Sequence, residues 1–65
     1  MITVNGEAFD LEPGTTVANL IEARGLNSLR VAIELNGTIV PKATFNDTLL
    51  HDDDKVEIVH FVGGG

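Results

Sequence analysis

Apolar and polar residues alternate from the first residues of the chain. Ile2 and Val4 flank Thr3 and run into Asn5-Gly6, after which Phe9 and Leu11 alternate with Ala8 and Asp10. Two such stretches joined by Asn-Gly predict a β-hairpin. Both turn residues tolerate the positive φ of a type I′ turn, and the turn sets a register in which the apolar pairs share one face. Pro13-Gly14 breaks the strand, and Thr15 or Thr16 is placed to cap a helix starting near Val17. In the stretch from Val17 to Arg24, the residues Val17, Leu20 and Ile21 fall at i, i+3 and i+4, so they form one face while Asn19 and Glu22 point away. Gly25 ends this helix, whose roughly two turns depend on packing against a sheet.

Val31, Ile33 and Leu35 then alternate with Arg30, Ala32 and Glu34 and close on a second Asn-Gly, Asn36-Gly37. A short fourth strand, Thr38 to Val40, stops at Pro41, which has no amide to donate. From Lys42 to Leu50 no period is clean, and the expectation is a surface crossing with Phe45 and either Leu49 or Leu50 tucked beneath it. Asp52-Asp53-Asp54 turns the chain, with Asp53 suited to the left-handed region, and Lys55 to Phe61 alternates as a long last strand before Gly63-Gly64-Gly65. One helix between strand pairs predicts an α+β fold of β-grasp type, a mixed five-stranded sheet covered by one helix, with a later strand brought in beside the first. The domain is expected over 1–62, with residues 63–65 as a glycine tail.

Composition narrows the function. The 65 residues carry 10 acidic and 4 basic side chains, a net charge of −6, and the isoelectric point is about 4.4. Such a field repels nucleic acid, and no two basic residues adjoin. A chain this short holds one core and has little left over to enclose a large cofactor, and with no cysteine it has neither disulfides nor a thiolate metal cluster. No apolar run approaches the length of a membrane helix, and no basic signal region opens the chain, so a cytoplasmic location is expected and the sequons at Asn36 and Asn46 carry no meaning.

Four features could carry chemistry. Asp52, Asp53, Asp54 and Glu57 could hold a hard cation, but they lack the spacing of a calcium loop and suit a solvated turn. His51 and His60 could share a zinc ion if the fold joined them, although no further ligand spacing supports it. No metal site and no catalytic residue is assigned. On the last strand Val56 and Ile58 share one face, while Glu57 marks the other as solvent-facing. Val59 and Phe61 therefore stand beside Ala32 and Glu34 either as an exposed patch for a partner or under a covering loop. Finally, three glycines add nothing to a sheet, so they are either a passive tail or a thread for a narrow channel that presents the Gly65 carboxylate to another protein. With an intrinsic pKa near 3.5 that carboxylate is ionised at neutral pH, able to attack a nucleotide phosphate and unreactive as an acyl donor until activated.

The chain resembles the ThiS family of ubiquitin-like sulfur carriers over its full length. The likeness rests on Val4-Asn5-Gly6-Glu7, Pro13-Gly14-Thr15-Thr16-Val17 before Leu20, Val31-Ala32-Ile33-Glu34-Leu35-Asn36-Gly37 and Ile39-Val40-Pro41-Lys42. It continues through Asp52-Asp53-Asp54-Lys55-Val56-Glu57-Ile58-Val59 and ends on Gly64-Gly65. Asp53 departs from the glycine usual between the flanking aspartates, which bears on local turn geometry alone. The resemblance implies a carrier that is not itself an enzyme. A ubiquitin-activating-type adenylyltransferase would use ATP to convert the Gly65 carboxylate to an acyl-adenylate, which sulfur from a donor system displaces to leave a thiocarboxylate. The sulfur would then pass to thiazole synthase for the thiazole of thiamine. Gly64 and Gly65 would be the functional tail, with Phe61, Val62 and Gly63 its approach, and the carrier alone a monomer without bound cofactor. Two other readings share the architecture: the small subunit of molybdopterin synthase, which also ends in diglycine, and a non-carrier β-grasp binding module.

Overall fold

The chain's structure is a computed structural model that describes residues 1–61. Strand β1 (Ile2–Val4) and strand β2 (Glu7–Phe9) form the first hairpin. Asn5 and Gly6 take φ of 50° and 85°, the two positive values a type I′ turn requires. The turn pairs Ile2 with Phe9 and Val4 with Glu7, so Phe9 shares the face of Ile2, but the strand stops at Phe9 and does not reach Leu11. Leu11 instead packs on the core from the connection that follows.

Helix α1 (Val17–Ala23) is only seven residues long, yet the first amides of the helix have partners. The amide of Asn19 donates to Thr16 Oγ1 and the Asn19 side chain accepts from the Thr16 amide, each at 3.1 Å. This is a capping box with Asn in place of the usual Glu or Gln, so Asn19, read in sequence as merely outward-facing, closes the helix start. The amides of Val17 and Ala18 donate to the carbonyls of Thr48 and Phe45, each at 2.9 Å. The aperiodic stretch before Leu50 thus supplies acceptors that a two-turn helix cannot find within itself. At the other end Gly25, at φ 70°, lets the amides of Gly25 and Leu26 reach back to Glu22 and Ile21. Thr16→Ala is expected to cost about 1 kcal/mol. In a domain this small that lowers the thermal midpoint by about 4–8 °C; calorimetry checks it, with Thr16→Ser as the near-neutral control.

Strand β3 (Val31–Leu35) and the two-residue strand β4 (Thr38–Ile39) make the second Asn-Gly hairpin, with Val40 buried just past it. Short 3-10 turns at Ser28–Arg30 and Lys42–Thr44 flank this hairpin. Strand β5 (Lys55–His60) ends one residue before Phe61 and lies at the centre of the sheet, whose order is β2-β1-β5-β3-β4. It runs parallel to β1 and antiparallel to β3. The strand brought in beside the first is therefore the last one.

The core lies between the sheet and α1. It is built from Ile2, Val4, Val17, Ile21, Val31, Ile33 and Val56, with Val40, Phe45 and Leu50 closing its edge. Of the two candidates at the end of the surface crossing, Leu50 is buried and Leu49 exposed. Among the described residues no helix is long and apolar enough to cross a membrane.

Candidate functional site: the end of the central strand

Strand parity divides β5 between two environments. Val56 is fully buried beneath α1, while Val59 and Phe61 face away from the helix at 51% and 55% exposure. The covering loop weighed from the sequence is therefore not what the described residues form. Val59 pairs with Ala32, and Glu57 with Glu34, which sets Val59 beside the Ala32/Glu34 face as the sequence suggested for paired strands. Ile39 lies opposite Glu34 on β4 and is 63% exposed. It extends the patch, and the strand pattern missed it because a two-residue strand carries too little alternation to assign a face. The open side of the sheet thus carries apolar Val59 and Phe61 at the end of the central strand and Ile39 on the edge strand β4, with Glu34 and Glu57 beside them, and Lys55 Nζ lies 4.0 Å from Glu57.

The end of β5 is held from both sides. The amide of Phe61 donates to the Arg30 carbonyl at 2.7 Å. Lys42 steadies the turn that carries that carbonyl, because its Nζ donates to the carbonyls of Ser28 at 3.2 Å and Val31 at 2.5 Å. On the opposite edge the Asn5 side chain accepts from the Ile58 amide at 2.6 Å and donates to the Ile58 carbonyl at 3.2 Å.

The other candidates have internal duties. Asp54 accepts from the Asn36 side chain at 2.9 Å and from the His51 amide at 2.8 Å. Asp52 accepts from the Met1 amino group, a hydrogen bond that holds the Asp52 carboxyl below the usual carboxylate range and raises the amine. Asp53 takes φ 71°, the left-handed conformation a glycine would supply, so the departure from the family pattern leaves the turn intact. Among the described residues no group of three acidic or histidine side chains is placed to hold a metal ion. His51 precedes β5 and His60 ends it, so the length of the strand separates them. A hollow of about 540 Å³ between α1 and the Lys42–Thr44 turn is lined by Ala18, Leu26, Leu29 and Phe45. Its one cation, Lys42, is spent on the two carbonyls. Val62, Gly63, Gly64 and Gly65, and with them the expected boundary between domain and tail, lie outside the described residues.

The sequence model of the ThiS family matches residues 2–65. The chain is 36% identical over 66 residues to the sulfur carrier protein ThiS of Bacillus subtilis, a match covering 100% of both chains. It is also 41% identical over 64 residues to the thiazole synthase of Magnetococcus marinus, covering 98% of this chain but only 20% of that protein. The chain thus spans about one fifth of the length of that relative. Among solved structures, the thiamine biosynthesis protein ThiS of Geobacter metallireducens superimposes with a TM-score of 0.80 at 33% identity, over 98% of this chain and 97% of the other.

Proposed function

The chain belongs to the ThiS family, matched over residues 2–65, and we propose that it carries sulfur for thiamine biosynthesis on the carboxyl group of Gly65. The observation that carries this reading is the family match, which runs from the first strand through the diglycine and includes a relative named as a sulfur carrier. The chemistry follows from the terminal carboxylate. The Gly65 carboxylate attacks the α-phosphorus of ATP on a ubiquitin-activating-type adenylyltransferase and releases pyrophosphate. Sulfide delivered by a donor system then attacks the acyl carbon and expels AMP, leaving a thiocarboxylate. The reaction draws on no acid or base of this domain, so the carrier is a co-substrate and its catalysts are its partners. Glycines at 63–65 suit passage through a narrow channel, because they carry no Cβ.

The second partner in this proposal is thiazole synthase. Support comes from relatives of that name, in Magnetococcus marinus and Paramagnetospirillum magneticum, in which a segment like this chain makes up 20% of one longer protein. Fusion of a carrier to its acceptor replaces an encounter in solution with a tethered one.

The patch at the root of the tail is the docking surface in this account. Replacing Val59 or Phe61 with Asp places a charge where an apolar contact forms, and binding to the adenylyltransferase is expected to weaken by at least about tenfold. The thermal midpoint stays close to wild type, because both side chains are exposed. Titration calorimetry and a melt read the two quantities separately; an unfolded variant would place these residues in the core. The pathway itself is tested by complementation. The chain should restore growth without thiazole to a host lacking its own sulfur carrier for thiamine, and it should not restore molybdenum cofactor to a host lacking the small subunit of molybdopterin synthase. The reverse pattern would reassign it.

A further inference from the structure

The two Asn-Gly turns have the same backbone, with φ of 50° and 85° at Asn5-Gly6 and 52° and 85° at Asn36-Gly37. Turn propensity accounts for both asparagines and predicts no further role for either. Yet each side chain grips β5, and they do so at opposite ends. Asn36 accepts from the Lys55 amide at 2.9 Å and donates to Asp54 Oδ1 at 2.9 Å, at the start of the strand. Asn5 takes both backbone groups of Ile58, at 2.6 Å and 3.2 Å, near its end.

The position of the Asn5 grip matters because of where β1 stops. The paired residues of β1 are Thr3 with Lys55 and Val4 with Val56, and the Asn5 amide adds one bond to the Val56 carbonyl. Beyond that point the backbone of β1 turns away, and β5 retains a neighbouring strand only on the β3 side. The Asn5 amide group stands in for the missing strand at Ile58, offering one acceptor and one donor as a backbone would. The other edge is held three residues later by the bond from Phe61 to Arg30. Between those two grips lie Val59 and His60, and after them the residues leading to the diglycine.

We propose that Asn5 is a positioning residue for sulfur loading: its side chain completes the open edge of β5 at Ile58 and so holds the end of the strand from which the chain continues to the Gly65 carboxylate. This rests on the carrier reading for its functional consequence, while the grip itself can be measured without it. The four residues after Phe61 must carry the Gly65 carboxylate to a nucleotide while the patch beside the end of β5 is docked, so freedom at that end reduces the fraction of docked complexes in reacting geometry. Asn36, at the far end of the same strand, has the same turn chemistry and no bearing on the tail.

The test uses matched variants. Asn5→Gly and Asn36→Gly both keep a turn residue that accepts positive φ, and each loses one side-chain grip. Amide exchange followed by NMR is expected to accelerate by on the order of tenfold or more at Ile58 and Phe61 in Asn5→Gly, and at Lys55 but neither of those in Asn36→Gly. In sulfur loading by the adenylyltransferase with ATP and sulfide, Asn5→Gly should lower turnover at saturating carrier by several-fold or more. KM should stay near wild type, and Asn36→Gly should leave both unchanged. Asn5→Asp retains the acceptor for the Ile58 amide and loses the donor, so its Ile58 amide stays protected and its turnover falls between wild type and Asn5→Gly. Equal slowing by both glycine variants, or exchange at Ile58 and Phe61 that does not respond to Asn5→Gly, overturns the proposal. Absence of loading in the wild-type chain would sink the carrier reading instead, and the exchange pattern would still decide whether Asn5 holds the root of the tail.

Discussion

Removal of Gly65 is expected to abolish sulfur loading and to leave the fold intact. The two halves of that expectation have separate causes. In the proposed reaction the reacting group is the Gly65 carboxylate, and after its removal the carboxylate would belong to Gly64, one residue of reach short. A shift of that size takes the nucleophile out of in-line attack, for which about 3–3.5 Å is the workable distance. Stability is set elsewhere, since among the described residues the buried core falls between Ile2 and Val56. The change in folding free energy should stay within about 0.5 kcal/mol, as for surface positions generally. That corresponds to no more than about 4 °C in the thermal midpoint for a domain of this size. Measured side by side, loading and melting should separate completely. A large drop in the midpoint would mean that the glycine end packs on the domain, and retained loading would mean that the reaction is not at Gly65.

Ile33→Ala should have the largest effect on stability. Ile33 is fully buried on β3, pairs with Ile58 on the central strand and belongs to the cluster beneath α1. Truncating a buried isoleucine to alanine costs about 2–5 kcal/mol, the transfer term plus the cavity left behind. A core of this size rarely provides more than about 3–5 kcal/mol in total, and no disulfide supplements it here. The variant is therefore expected to lie near or past its folding midpoint at room temperature and to lose the far-ultraviolet signal of the sheet. Ile39→Ala removes the same atoms from an exposed site on β4 and should leave the melt unchanged. If Ile33→Ala melted within a few degrees of wild type, the assignment of that face to the core would be wrong.

Much of this architecture could be read along the chain because its signals are local. Period-two alternation in Val31–Leu35 and Lys55–His60 assigned each face correctly, and the Asn-Gly pairs set both hairpin registers. The exposure of Val59 and Phe61 followed from the same parity. What could not be read depends on distant residues meeting. Nothing local says that β5 lies between β1 and β3, since strand order is decided by long-range pairing. The stretch around Phe45 and Thr48 has no period because its carbonyls serve the amides of Val17 and Ala18, a role that only the tertiary contact creates. The grips of Asn5 and Asn36 on β5 were hidden in another way, because their turns already explain asparagine at those positions. The Gly65 carboxylate was legible as a group able to attack a nucleotide phosphate; its proposed role in carrying sulfur came from the family likeness.

The most direct test of the carrier account is intact mass spectrometry after incubation with the adenylyltransferase, ATP and sulfide, set against a reaction without ATP. The account predicts an ATP-dependent shift equal to one oxygen exchanged for sulfur, located by fragmentation to the peptide that contains Gly65. An unchanged mass in both reactions, or a sulfur placed on any other residue, would contradict it.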